Sequence, residues 1–185
     1  MKKINILKSL VVIFVLSLVV FIAGCKTPTP EPPKYDVSYI NDKLDATGFT
    51  SYFYQKIITS GEITLLEENT NVTSQGDKYL VKTEISKLAS LEDSKKYDVQ
   101  ETEEEVAIAS DPIKLTIQES DFSTVEVTEI SLVGKVKDEA NILGYSVKDL
   151  TLKISLENSK PASIELTYVD AETNLTVILI VKYSY

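Results

Sequence analysis

The chain has 185 residues, 28 acids against 19 basic side chains, a formal net charge of −9, no histidine, no tryptophan and a single cysteine. Without histidine, Ser-His-Asp and Cys-His nucleophile systems are excluded, as are zinc sites built on Cys or His. The acidic balance also argues against nucleic-acid binding, which requires a basic stripe.

At the N-terminus, Lys2, Lys3 and Lys8 accompany an apolar run from Leu10 to Ala23. A basic start, a short apolar stretch and a small-residue site are the three parts of a secretory signal. The run falls short of the ~20 residues of a membrane-spanning helix, although an uncleaved N-terminal anchor stays open as an alternative. The tetrapeptide Ile22-Ala23-Gly24-Cys25 ends in the chain's one cysteine, and it resembles the lipobox of bacterial lipoproteins. The resemblance implies that Cys25 Sγ carries a diacylglycerol and that the signal is cut between Gly24 and Cys25. It also implies a mature chain anchored in the cell membrane with its domain on the extracytoplasmic face, whether on an outer surface or in a periplasm. A lone thiol forms no internal disulfide, and two acyl chains on one residue hold a protein where one binds only marginally. The implied division is a signal peptide over 1–24, a lipidated Cys25 with its tether over 25–35, and one β-rich domain over 36–185.

Without the signal, 161 residues remain with 16 lysines and 28 acids, a net charge of −12. A domain of about this size buries roughly 70% of the surface its unfolded chain exposes and closes a core without disulfide or metal. Residues 26–34 contain Pro28, Pro30, Pro32 and Pro33, which favour an extended polyproline II tether rising about 3.1 Å per residue.

Val37, Ile40 and Leu44 fall at helical spacing behind Asp36, a candidate N-cap, with Gly48 as a stop; this predicts a helix over Val37–Ala46. Phe49, Tyr52, Phe53 and Tyr54 follow as an aromatic cluster. They read either as packing between helix and sheet or as an aromatic lip on a ligand cavity. From Lys56 the pattern turns to strands. Lys56–Glu68 runs on toward a turn at Gln75-Gly76-Asp77, and Asp77–Leu88 alternates Tyr79, Val81 and Ile85 with Lys82, Glu84 and Ser86, so a long hairpin is expected. Tyr97–Ile108 carries Glu101, Glu103, Glu104 and Glu105 and reads as a solvated or edge strand, closed by Asp111-Pro112.

In Thr124–Val136 the apolar phase slips from Val125 and Val127 to Ile130, Leu132 and Val136, which predicts a β-bulge or break near Thr128-Glu129. A short helix over Asp138–Leu143, stopped by Gly144, is a candidate cover for the last strand, whose Ile178 and Ile180 make both of its faces apolar. Leu150–Glu157, Ser163–Val169 and the strand from Leu175 to Tyr185 form a three-stranded antiparallel meander with one apolar face. The expected class is mainly β (α+β): a strongly curved antiparallel sheet or half-barrel with one or two short helices packed on it.

The glycines are isolated, so no phosphate-binding loop is present, and the acids at Glu101–Glu105 and Asp138-Glu139 lack the ligand spacing of a calcium loop. Carboxylates and lysines are the general bases that remain. No catalytic, cofactor-binding or metal residue is nominated, and the chain reads as a non-enzyme.

The order of elements, with the strand Leu132-Val133-Gly134-Lys135-Val136-Lys137-Asp138 and the finish Lys182-Tyr183-Ser184-Tyr185, resembles the half-barrel fold of LolA and LppX-type lipoproteins. In that fold an antiparallel sheet curls around helices and encloses acyl chains. The resemblance implies binding of a lipid or other apolar ligand, whereas the residues alone fit equally a structural or protein-interaction domain of the cell envelope with packed apolar faces.

Overall fold

The computed structural model describes residues 34–44, 46–92 and 95–185. Cys25, the expected signal segment and the expected tether up to residue 33 lie outside the described residues. Tyr35–Tyr185 forms one compact unit.

The described residues form nine strands: β1 (Ser51–Ser60), β2 (Ile63–Gln75), β3 (Lys78–Leu88), β4 (Tyr97–Val106), β5 (Phe122–Val127), β6 (Ser131–Val136), β7 (Val147–Glu157), β8 (Lys160–Asp170) and β9 (Thr176–Ser184). They form a single sheet in the order β4-β3-β2-β1-β9-β8-β7-β6-β5, every neighbouring pair antiparallel. The class is therefore mainly β, as expected, and the sheet is open, with β4 and β5 as its edges. Register irregularities at Ile58/Thr59, Phe122/Thr124, Lys148/Thr151 and Ser155/Leu156 bend it. Among the described residues, helix is confined to α1 (Val37–Asn41) and one 3-10 turn at Glu119–Asp121.

Two meanders make this sheet, β1 to β4 and β5 to β9, and they are joined where β9 pairs with β1. The chain leaves β4 at one edge and must enter β5 at the other. Nine strands laid flat at about 4.8 Å spacing would separate those edges by ~38 Å. Residues 107–118 make the crossing over one face, and they bury Ile113 and Ile117 against it. That face, called inner here, carries the even residues of β6 and β7 and the odd residues of β9, and it holds the core. Asn41 at the end of α1 accepts from the Ile117 backbone N–H at 3.0 Å, which locks helix and crossover together.

Several local expectations are corrected. Lys56–Glu68 is two strands, because Ser60 pairs with Ile63 and the chain reverses through Gly61-Glu62. Gly61 has φ +59°, the conformation that the first position of a type II′ hairpin demands. Of the bulge or break expected at Thr128-Glu129, the structure has the break: β5 ends at Val127, a hairpin follows in which Val127 pairs with Leu132, and the reversal carries both onto one face. The first helix keeps its Asp36 cap, which accepts from Tyr39 N at 3.0 Å, but ends at Asn41.

Asp138–Leu143 is a run of turns, not a helix. Asp138 Oδ1 is taken by the Asp149 N–H of β7 at 3.0 Å, and six residues are too few to nucleate a helix without strong packing. Ala140, Ile142 and Leu143 instead pack at the margin of the inner core. Ile178 and Ile180 on the outer face remain half-buried. The acidic strand is an edge as expected, with every residue from Tyr97 to Glu105 exposed.

Candidate functional site

Where a ligand can sit is decided by how the inner face is filled. Leu132, Leu152, Ile154, Leu166 and Val181 retain at most 0–1% of their surface. A side chain lining a cavity large enough for water keeps accessible surface, so this stretch of β6–β9 is packed solid by α1 and the crossover. The face opens beside that cover. There a cleft of about 550 Å³ lies between the loop after α1, the crossover and the start of β3. Leu44, Ala46, Phe49, Tyr79, Ala109 and Leu115 give it apolar walls, and Asp111 and Lys114 are its charged groups.

The aromatic lining comes from residues far apart in sequence. Phe49 is buried, and its ring meets Tyr52 edge-on at 5.2 Å, Tyr79 at 5.9 Å and Tyr183 at 6.3 Å. Ring pairs in this range and tilt are favourable beyond their burial. The sheet assembles them through register: Tyr52 of β1 stands opposite Tyr183 of β9. Phe53, next in sequence, falls on the outer face by strand alternation.

Asp111 is the polar centre. Its Oδ1 accepts from the Tyr183 hydroxyl at 2.6 Å and from the Ile113 backbone N–H at 3.1 Å. Burial, then this hydrogen bond and the nearby carboxylate, hold the Tyr183 phenol well above the usual tyrosine range. Burial also raises Tyr52, with the Asp111 charge as the lesser cause. These phenols stay neutral at physiological pH. The Tyr183 hydroxyl pins the Asp111 carboxylate rather than exchanging a proton with it.

A second concavity of about 800 Å³ crosses the outer face of β1–β4. Its polar groups are largely matched to one another. Gln55 Nε2 donates to Glu67 and Asn69 at 3.0 Å each, Asn69 Nδ2 donates to Glu67 at 3.0 Å, and Lys82 pairs with Glu103 at 2.9 Å. Two acids of β4 thus have lysine partners, Glu103 with Lys82 and Glu105 with Lys78 at 3.0 Å, and the strand's acids are exposed to solvent. Among the described residues no three acids or cysteines come together in a geometry that could hold a metal ion.

Of the aromatic cluster expected from sequence, Phe49 lines the cleft and Tyr52 packs against its ring. Tyr54 shares the inner face farther along β1, where burial pushes it up to about 12. Tyr79, Tyr183 and Leu115 carry no sequence signal beyond strand alternation or apolarity. Asp111 reads in sequence only as chain punctuation before Pro112, and its role appears once the crossover is seen to lie on the sheet. No protein-family model and no curated protein matches this chain.

Proposed function

We propose that this chain is a lipid-anchored, extracytoplasmic binding domain without catalytic activity. In this reading Cys25 carries a diacylglycerol, residues 26–34 tether the domain to the membrane, and the cleft bounded by Leu44, Phe49, Tyr79 and Leu115 takes a lipid or other apolar ligand. The observation that carries it is the cleft itself. Small-molecule sites are concave, mostly apolar, and fixed by few polar groups, and this one pairs apolar walls with a carboxylate held by two donors. The solid packing over β6–β9 directs the ligand to the margin rather than to the middle of the sheet.

Native mass spectrometry of gently purified protein, followed by solvent extraction, tests the ligand. A stoichiometric mass excess that leaves with the solvent is expected. A bare-chain mass with no uptake from added lipid would overturn the reading. It would favour a packed interaction domain, for which the outer-face concavity of β1–β4 and the exposed edge strand β4 are the available surfaces. The anchor is tested separately. Cys25→Ala should move the protein from the membrane to the soluble fraction, and continued membrane retention would mean an uncleaved signal helix.

A further inference from the structure

The cleft's chemistry narrows its ligand. Asp111 presents a carboxylate fixed in orientation by the Tyr183 hydroxyl and the Ile113 N–H, both on Oδ1. Oδ2 accepts no hydrogen bond among the described residues. Phe49 and Tyr79 also line the cleft, with ring centroids 5.9 Å apart and planes inclined at 53°. Two inclined rings and a carboxylate with one free oxygen are complementary to a positive charge that carries apolar substituents. A neutral apolar group would cover the Asp111 carboxylate without supplying a donor or a charge, and such burial is costly. An anionic group would face both Asp111 and a mature chain of net charge −12. The other charged group lining the cleft, Lys114, is exposed, so its ammonium is free to turn to water or to an anionic portion of the same ligand.

We infer that this cleft takes an organic ammonium head group, its charge against Asp111 and its carbon substituents against Phe49 and Tyr79. The inference rests on the binding reading above and specifies its ligand class. Apolar tails of such a molecule would lie along Leu44, Ala109 and Leu115.

The test titrates the full chain, in a non-ionic maltoside, with choline and with its uncharged isostere 3,3-dimethylbutan-1-ol, read from ring resonances of Phe49 and Tyr79. Choline should bind about tenfold or more tighter, as desolvated cation–π and charge contacts together imply. Added salt should weaken choline and leave the isostere unchanged. Asp111→Asn keeps an acceptor for Tyr183 and Ile113 but makes both bonds neutral, so it should lower the thermal midpoint less than Tyr183→Phe does while erasing the preference. Lys114→Ala, at an exposed position, should sharpen it. Equal affinities, or a preference that survives Asp111→Asn, overturn the ammonium assignment and leave the apolar-binding reading standing. Binding of neither compound overturns both.

Discussion

Gly134 offers the most direct check on the packing. It lies in β6 on the inner face, between Leu132 and Val136, and a Cβ built there would sit 2.5 Å from Cδ1 and 2.8 Å from Cε1 of Phe122, and 3.1 Å from the Thr124 carbonyl oxygen. Carbon atoms pack at about 3.5–4.0 Å, so the ring must retreat by roughly 1 Å. Phe122 is 6% exposed and stands at the register irregularity between β5 and β6, so its ring has little room to move. Overpacking of this kind costs about 1–3 kcal/mol.

An opposing term exists. Gly134 does not adopt a positive φ, so alanine would also remove unfolded-state freedom, a gain of about 0.4–1 kcal/mol. The net expectation for Gly134→Ala is a loss of about 1–2 kcal/mol. Urea unfolding followed by circular dichroism measures it. Trimming the ring in the double variant with Phe122→Leu should recover part of the alanine penalty, giving a coupling that separates steric conflict from backbone effects. A Gly134→Ala variant as stable as the parent, or more so, would refute the reasoning, because backbone entropy would then be the larger effect and the ring contact unimportant.

Tyr183→Phe removes the hydroxyl that holds Asp111 and should cost about 1.5–3 kcal/mol, the range for a hydrogen bond to a charged group; unchanged urea midpoints would show that the crossover needs no such pin. Leu166→Ala, at a position 0% exposed in the middle strand of the meander, should cost about 2–5 kcal/mol with its cavity, and a loss well under that range would mean the inner face can collapse around the gap. Alkaline pH should destabilise the fold: Tyr52, Tyr54, Tyr168 and Tyr183 all have raised values, chiefly through burial. Above pH ~10 the unfolded chain releases these protons while the folded chain keeps them, so stability falls from about pH 10 upward and Tyr54 resists ionisation to about 12. Tyrosinate absorbance should therefore rise in a second step coincident with unfolding, and a single step near the normal tyrosine value would contradict the burial of these rings.

Strand alternation was legible wherever one face is buried and the other wet. Leu150 to Leu156, Ile164 to Tyr168 and Val177 to Tyr183 announce the meander because core and solvent alternate along them. The β1–β2 hairpin was not legible in the same way. Its residues are nearly all half-exposed on both faces, so no alternation marks the strands and only Gly61 marks the turn. The slip at Thr128-Glu129 was visible, yet a bulge and a tight hairpin both bring about a change of phase, and pairing decides between them. Ile178 and Ile180 misled for a related reason. Apolar residues on the outer face are tolerated at the middle of a long sheet, where neighbouring strands half-cover them without any helix.

Asp111 was the least legible residue because its role depends on topology. A chain that finishes one meander at β4 and starts the next at the opposite edge must drag a linker across the sheet, and that linker becomes both lid and wall. Ile113 and Ile117 commit its middle to the core over β5–β9, which leaves the inner face beside β3 uncovered. Asp111 stands at that boundary, with one oxygen spent on holding the linker to Tyr183 while the residue also lines the cleft. The same residue thus ties the crossover down and charges the pocket. Removing its side chain should weaken stability and ligand preference together, whereas Asp111→Asn, which keeps the acceptor and loses the charge, separates them. If both properties changed in parallel in the asparagine variant, the free oxygen would have no binding role of its own and the cleft would be only a by-product of the crossing.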